Sequence, residues 1–279
     1  MPMTSLIFAA AMAATSHTPG WACEGHCTHD ATPAPEAASA LVTSTQTGGS
    51  ATSSSMKKPI RVFIYSRTEG FRHDSIEKAV GVFFDIADQE GLKVTWTEDK
   101  SLIKDSVIND HDVVMFLNTT GDCVNEPGQA VIENFVEKRG GGFVGVHAAA
   151  DTEYDWNWYG RLVGGYFKSH PQIQEARINV IDRSHPATKH LQSTWTRKDE
   201  WYDFRALPAP TVKILMKLDT TSYTGHQMGE NHPIAWCHTV GKGRAIYTGG
   251  GHTRESYDEA DFRKHLLGAI RWAAKREEG

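Results

Sequence analysis

The sequence from Lys57 to Gly279 predicts one α/β domain built on a mainly parallel sheet. Short apolar runs alternate with helical patterns, which is typical of strand–helix–strand units. These runs are apolar at nearly every position, as expected for parallel strands covered by helices on both faces. The clearest predicted strands cover residues 60–65, 92–97, 113–117 and 143–147.

Three segments have the spacing of helices. A helix is expected from Ser75, as its cap, to about Glu90, because apolar residues recur there every three or four positions and Gly91 ends the pattern. A second is expected over 127–138, with proline in its first turn, and a last one over 259–275. The second half is less regular, with further strands expected at 177–181, 212–218, 233–237 and 244–248.

The N-terminal segment differs from the rest of the chain. Residues 5–14 resemble the apolar core of a secretory signal, so residues 1–22 are expected to be a signal peptide and the protein to be secreted or periplasmic. Residues 23–56 are poor in large apolar groups and are expected to be a disordered low-complexity linker. The alternative is a cytoplasmic protein, because Met56 is followed by Lys-Lys-Pro and resembles a cytosolic start.

Charge and hydropathy exclude several classes of protein. Residues 1–55 hold three of the 34 acidic residues and none of the 29 basic ones, which leaves a net charge of −2 on the remainder. Without a basic footprint, neither a nucleic-acid partner nor a polybasic membrane anchor is expected. No apolar run reaches the length of a membrane span. A homo-oligomer is compatible with the sequence, which does not specify the oligomeric state.

The strongest candidate for chemistry is His147. Three glycines, an apolar strand, the histidine and then three alanines indicate a tight strand-to-helix elbow that presents one side chain. The alternative is a structural histidine that holds the turn. Because no G-x-S-x-G motif or cysteine stands there, acyl-enzyme chemistry is not expected. His170, Glu200 and His252 are the other candidate acid–base residues.

Acidic and aromatic residues cluster after the predicted strands. Aromatic rings offer apolar faces to the CH groups of a sugar, and carboxylates bind its hydroxyls. A small-molecule sugar is therefore the expected ligand, although Trp156 fits core packing equally well. The candidate substrate-binding residues are His73, Asp122, Asp151, Tyr154, Trp156, Tyr202, Met228 and His232.

A divalent metal is the one cofactor that the sequence leaves open. Eleven histidines follow residue 56, but no H-E-x-x-H or other fixed spacing assigns ligands. Cys23 and Cys27 lie beside histidines without the spacing of a standard zinc knuckle. Cys123 and Cys237 are expected to be buried free thiols. The glycine runs lack the phosphate-loop and dinucleotide spacings, so no nucleotide cofactor is expected.

Several motifs, in order along the chain, resemble the ThuA-like (trehalose-utilisation) family. They include Phe71-Arg-His-Asp-Ser-Ile, Gly142-Phe-Val-Gly-Val-His-Ala-Ala-Ala-Asp, Phe167-Lys-Ser-His-Pro, Asp199-Glu-Trp-Tyr, His232-Pro-Ile-Ala-Trp and Gly251-His-Thr. The resemblance implies a flavodoxin-like, three-layer sandwich similar to the class I glutamine amidotransferases. In that superfamily a catalytic cysteine occupies the elbow where His147 or its neighbour stands here, so amidotransferase activity is not implied.

The resemblance also implies a role in the use of trehalose and related disaccharides, beside a dehydrogenase that makes 3-keto sugars. The main hypothesis is a keto-glycoside isomerase, hydrolase or lyase, which would begin by removing a proton next to a carbonyl. Two alternatives remain open. One is a carbohydrate-binding protein without catalysis, and the other is a metal-dependent hydrolase built from the histidines.

Overall fold

The computed structural model describes residues 42–43 and 58–276. The predicted signal peptide, and the predicted linker apart from Val42–Thr43, lie outside the described residues. The strands are β1 (Val42–Thr43), β2 (Arg61–Tyr65), β3 (Lys93–Thr97), β4 (Val113–Leu117), β5 (Gly142–Val146), β6 (Phe167–Ser169), β7 (Gln174–Val180), β8 (Thr194–Asp199), β9 (Asp203–Phe204), β10 (Lys213–Leu218), β11 (His232–Val240) and β12 (Gly243–Thr248). The helices are α1 (Ser75–Glu90), α2 (Asp105–Ile108), α3 (Glu126–Glu133), α4 (Asn157–Val163) and α5 (Ala260–Ala273).

Ten strands form one sheet in the order β1-β3-β2-β4-β5-β12-β11-β10-β7-β8. The five strands β3, β2, β4, β5 and β12 run parallel to one another, and we call them the parallel half. β4 and β5 are buried at every position, which explains why their sequences are continuously apolar. The predicted α/β class and parallel sheet are confirmed for this half.

Helices pack on both faces of the parallel half. Right-handed crossovers place α1, between β2 and β3, on one face, and α3, between β4 and β5, on the other. Arg271 of α5 pairs with Glu90 of α1 at 2.8 Å, so α5 shares the face of α1. The indole nitrogen of Trp158 in α4 donates to Glu137, just beyond α3, at 2.7 Å. Among the described residues, no helix is long and apolar enough to cross a membrane.

Two helix predictions need correction. Helix α1 has the predicted bounds, but its N-cap is Asp74 and not Ser75. The Ser75 hydroxyl is buried against the strand-end loops, where it donates to the Gly251 carbonyl at 3.2 Å. The second helix is α-helical only over Glu126–Glu133 and continues as a π-helical turn, Asn134–Lys138.

The strands β11, β10, β7 and β8 form the antiparallel half of the sheet. Strand β11 joins it to the parallel half through β12, with Ala235 opposite Thr248. Strand β8 was not predicted, and it is the outermost strand of this half. In a flat sheet, five strand positions would separate β8 from β5 by about 24 Å. The residues that follow these two strands are nevertheless in contact, because Glu200 Oε2 lies 3.4 Å from His147 Nε2. The sheet therefore curls strongly.

Close packing explains the glycines at the start of β5. A Cβ atom on Gly142 would lie 2.6 Å from the carbonyl oxygen of Ala273 in α5, and Gly140 has a positive φ of 80°. The glycines therefore allow α5 to approach the central strand. Cys123 and Cys237 are buried free thiols, as predicted.

Candidate active site

Three histidines meet at the carboxyl-terminal edge of the parallel half. Leu117, Val146 and Thr248 end their strands in register, so the loops that follow lie side by side. His147 and His252 come from two of these loops, and His73 comes from the loop after β2. Their ring centroids lie 4.9–5.2 Å apart. Ligands bind at this edge in open parallel sheets, which makes it the candidate site.

His147 occupies the predicted elbow. It follows β5 directly, has a φ of 46° and begins a tight 3-10 turn, His147–Asp151, in which the three alanines are buried. A positive φ is uncommon for a residue other than glycine, and such strain is concentrated at functional sites. Its Nδ1 lies 2.9 Å from the Gly249 carbonyl oxygen. A carbonyl only accepts, so Nδ1 carries a hydrogen and Nε2 is the ring nitrogen that remains for the site.

The antiparallel half supplies Glu200, which follows β8. Its Oε2 lies 3.4 Å from His147 Nε2 and 3.1 Å from His252 Nδ1, and its Oε1 lies 3.1 Å from His170 Nδ1. Burial acts to raise the pKa of this carboxyl group, but hydrogen bonds with His147 and His252 outweigh it and hold the pKa well below the usual range. Glu200 is therefore an ionised carboxylate, although only 6% of it is exposed.

The pKa values of two neighbouring histidines are shifted in opposite directions. Burial, with the nearby His147 and His252, lowers the pKa of His73 well below its usual value. Burial also acts to lower the pKa of His252, but the hydrogen bond and charge of Glu200 outweigh it and raise that pKa. The structure thus brings all four predicted catalytic residues together, and it adds His73, which was predicted as a substrate-binding residue.

Asp199 is a site-supporting residue that the sequence analysis did not identify. Its Oδ1 accepts from the backbone N–H groups of Glu200 at 3.0 Å and His252 at 3.1 Å. Its Oδ2 accepts from Gly251 N at 2.7 Å and the Ser256 hydroxyl at 3.0 Å. One buried carboxylate therefore fixes Glu200 and His252, which follow strands four positions apart in the sheet. The only sequence signal was its place beside Glu200 in the motif Asp199-Glu-Trp-Tyr.

The glycine run after β12 makes room for protein groups. A Cβ atom on Gly250 would collide with the Arg197 guanidinium, which pairs with Asp199 at 3.1 Å. Gly251 has a φ of 111°, and a Cβ atom on it would lie 2.8 Å from the Tyr257 hydroxyl. These glycines therefore let the His252 loop pack against Asp199.

His170 and Tyr202 lie beside Glu200 and His147, respectively. The side chain of His170 is 37% exposed, while the Tyr202 ring is buried with its centroid 4.1 Å from that of His147. His232 lies behind Tyr202, where its Nε2 donates to the Tyr202 carbonyl oxygen at 2.8 Å and its Nδ1 accepts from the Tyr223 hydroxyl at 2.6 Å. Both ring nitrogens of His232 are therefore used by the protein.

The other predicted sugar-binding residues have different positions. Tyr154 donates a short hydrogen bond to Asp151, whose pKa is raised by burial. Trp156 packs between Trp158 and Tyr159, with ring centroids 5.1 and 5.6 Å away, in the manner of a core residue.

Asp122 and Met228 lie on loops. Asp122 is exposed, and the sulfur of Met228 accepts from the backbone N–H of Phe204 at 3.3 Å. Sugar binding by Asp122 and Met228 stays a prediction.

The four residues His73, His147, Glu200 and His252 form what we call the His–Glu cluster. Each offers one donor atom, and the four atoms lie within 4.8 Å of one another. Three imidazole nitrogens and a carboxylate oxygen suit a divalent transition metal. The cluster can therefore either transfer protons or hold a metal ion.

Solved structures share this fold. A ThuA-like protein from Bacteroides uniformis superposes with a TM-score of 0.68 at 24% identity, covering 79% of this chain and 94% of that one. A ThuA-like protein from Parabacteroides merdae gives 0.65 at 21% identity, covering 78% and 90%. A β-galactosidase from Bacillus circulans sp. alkalophilus gives 0.52 at 13% identity, covering 76% of this chain but 31% of that one. At these identities the likeness shows the fold alone.

A comparison with curated proteins gives no match. A family model is decisive, because the model described as "ThuA: Trehalose utilisation" matches residues 61–273, which include both halves of the sheet and the whole His–Glu cluster. The resemblance of the motifs is thereby confirmed, and the chain belongs to the ThuA family.

Proposed function

We propose that this protein is a carbohydrate-processing enzyme that acts on a disaccharide or its 3-keto derivative, by isomerisation or by cleavage of the glycosidic bond. Membership of a family described by trehalose utilisation supports the substrate class.

The observation that carries the proposal is the His170–Glu200 pair. His170 Nδ1 faces two acceptors, the Glu200 Oε1 atom at 3.1 Å and the Pro171 carbonyl oxygen at 3.0 Å. Nδ1 must therefore carry the ring hydrogen, which leaves Nε2 as the basic nitrogen. A carboxylate that orients a histidine in this way is a recurrent arrangement for a general base. His170 is also the most exposed of the four predicted catalytic side chains, so it is the one that a substrate reaches.

A 3-keto sugar suits such a base. The carbonyl acidifies the hydrogen on the adjacent carbon, C2, and Nε2 of His170 removes it to give an enolate. Because C2 bears a hydroxyl group, protonation of the enolate oxygen gives an enediol, and protonation of C3 with loss of the proton from O2 then gives the 2-keto isomer. In cleavage, the electron pair forms the C1–C2 double bond and expels the glycosidic oxygen, which takes up a proton as the leaving sugar departs. Either route needs one base and one proton donor.

Aromatic side chains near the cluster provide contacts for a sugar ring. Phe71 is 57% exposed, and its ring packs edge-on against His73 at 4.9 Å. Phe167 is partly buried, with its ring 5.9 Å from that of His170 and 4.3 Å from that of Tyr202. One aromatic ring thus lies beside His73 and another beside the base, as expected for a site that binds the CH-rich face of a sugar.

We also infer that the parallel half is flavodoxin-like. Numbered along the chain, its five strands have the spatial order 2-1-3-4-5, which is the flavodoxin order. His147 would then stand at the position where the glutamine amidotransferases keep their cysteine. A histidine there supports acid–base or metal chemistry and not an acyl-enzyme.

The test is an NMR experiment in D₂O with trehalose and 3-ketotrehalose. Loss of the C2 hydrogen signal of the ketone reports proton abstraction even before product accumulates. We expect exchange and turnover with the parent protein and a decrease of about 10²- to 10⁴-fold with His170→Ala. The matched control is His190→Ala, a partly exposed histidine outside the cluster, which should retain the parent rate.

Folded parent protein that neither exchanges nor converts these sugars would contradict the proposal. Sugar binding without exchange would favour the carbohydrate-binding alternative.

A further inference from the structure

We infer that the His–Glu cluster is a binding site for one divalent transition-metal ion, with His73, His147, Glu200 and His252 as its protein ligands. Each residue contributes one donor atom, and all four atoms lie within 4.8 Å of one another. That separation is what tetrahedral or octahedral ligands at about 2.0–2.2 Å from a shared ion would span after modest closure. The inference concerns metal binding and does not depend on the sugar chemistry proposed above.

Ring nitrogens and one carboxylate oxygen converge at the centre of the cluster. The hydrogen bond to Gly249 uses His147 Nδ1, so Nε2 is the ring nitrogen that faces the Glu200 Oε2 atom at 3.4 Å. A proton or a cation between these two atoms would hold them together. His252 Nδ1 lies 3.3 Å from the first and 3.1 Å from the second. A single N–H there cannot donate fully to both, whereas one metal ion would satisfy all three atoms.

His73 provides a second, independent observation. It is 3% exposed, and its Nδ1 is buried without a hydrogen-bond partner. Burying an unpaired polar nitrogen is costly, so it is rare unless the group has another use. The ring lies edge-on to both His147 and His252, which places it within the convergent set of donors. Coordination would explain why an apolar side chain does not occupy this buried position.

The surroundings of the cluster resemble those of a metal site. Histidine ligands usually donate their second ring N–H to a carbonyl or a carboxylate, as His147 does to Gly249. Asp199 holds the backbone of both Glu200 and His252, so the donors are fixed before a metal binds. His170 is outside the set of four, and it contacts the opposite carboxylate oxygen of Glu200.

The donor set indicates the class of ion. Mg²⁺ and Ca²⁺ prefer oxygen ligands, whereas three imidazoles and one carboxylate suit Zn²⁺, Mn²⁺, Fe²⁺ or Co²⁺. When bound, such an ion would act as a Lewis acid toward a carbonyl or hydroxyl oxygen.

The experiment uses Co²⁺ as the probe on the full chain after treatment with a chelator. The Cys23→Ser/Cys27→Ser background removes the thiols of the N-terminal segment as competing ligands. We expect one Co²⁺ per chain by calorimetry, with visible d–d bands more intense than those of the hydrated ion. Zn²⁺ should displace Co²⁺, and Mg²⁺ should not. Folded parent protein without stoichiometric binding, or with the spectrum of hydrated Co²⁺, would overturn the inference without the need for any variant.

Variants then assign the ligands. His73→Gln and His252→Gln should each weaken Co²⁺ binding by more than about 100-fold, because removing outer-shell partners alone costs 10- to 100-fold. His190→Ala, which changes a histidine that contacts the Asp261 carbonyl oxygen outside the cluster, should bind Co²⁺ within about threefold of the parent. If His73→Gln and His252→Gln retain their circular dichroism and bind Co²⁺ like the parent, the ligand assignment is wrong.

The two proposals fail separately. Stoichiometric Co²⁺ binding without sugar turnover would support the metal site and count against the proposed function. Undiminished sugar turnover by metal-stripped protein that takes up no Co²⁺ would support the proposed function and count against the metal site.

Discussion

The two halves of the sheet contribute to the candidate site in different ways. The parallel half supplies His73, His147 and His252 from loops that lie side by side because neighbouring strands end in register. The antiparallel half supplies Glu200 from the end of its outermost strand and His170 from the loop between β6 and β7. The site is therefore complete only where the curled sheet brings its far edge back over the strand ends of the parallel half.

Local sequence and the long-range curvature of the sheet therefore position different residues of the site. The histidines of the parallel half are placed by strand register, whereas Glu200 depends on contacts across the junction between the halves. Asp199 and α5 make those contacts, so changes there are expected to have the largest effects.

The largest expected effect is that of Asp199→Ala. The change removes an acceptor shared by Glu200, Gly251 and His252, and it leaves the buried Arg197 with Glu259 as its remaining ion-pair partner. Breaking a buried ion pair by removing one partner typically costs about 3–5 kcal/mol. We expect a decrease of that size in the free energy of unfolding, measured with urea.

The matched control is Asp219→Ala, which breaks an exposed ion pair with Arg177 within the antiparallel half. Its effect should be far smaller, because exposed pairs contribute little. If the two variants are equally stable, Asp199 does not hold the halves together.

A second effect should appear as pH dependence at α5. His265 is fully buried, and its Nδ1 donates to the carbonyl of Ala187, in the loop between β7 and β8, at 2.8 Å. Burial lowers its pKa from 6.5 to about 3. The unfolded chain therefore binds a proton first, so this contribution to stability is complete above pH 6.5 and is lost as the pH falls toward 3, at up to about 1.4 kcal/mol per pH unit.

His265→Asn keeps a donor toward Ala187 but removes the titrating group. Urea unfolding between pH 7 and pH 4.5 should show a flatter profile for this variant than for the parent, whereas His190→Asn, a partly exposed histidine, should follow the parent. Identical profiles for the parent and His265→Asn would show that the buried histidine does not couple folding to pH.

The smallest effect concerns an exposed apolar side chain beside the site, with a second exposed apolar side chain as its control. Phe71, beside His73, is 57% exposed, and Leu207, which follows β9, is 48% exposed. Aromatic contacts contribute about 0.5–1.5 kcal/mol, so Phe71→Ala should raise the KM for a sugar substrate about fivefold with little change in stability. Leu207→Ala should leave the KM unchanged. Equal effects would show that the sugar does not contact the parallel half at Phe71.

Local patterns predicted most of the parallel half. The bounds of α1 and β4 agree with those expected, because a continuous apolar run or a helical repeat is written in neighbouring residues. Strand β8 was missed for a physical reason. Its inward-facing residues include Arg197 and Asp199, which are buried as an ion pair, so no apolar alternation marks the strand. Helix α4 was missed because it spans only seven residues of an aromatic segment.

The sequence by itself determined the α/β class, the elbow at His147, the family motifs and the four candidate catalytic residues, since each depends on residue types at short spacing. Only the tertiary structure decided that His73 joins the cluster, that Trp156 packs in the core and that Asp199 supports Glu200 and His252. The first two outcomes depend on packing between distant segments, and the last depends on how far the sheet curls. Curvature is the summed result of many weak backbone and packing preferences across ten strands, and no short stretch of sequence encodes it.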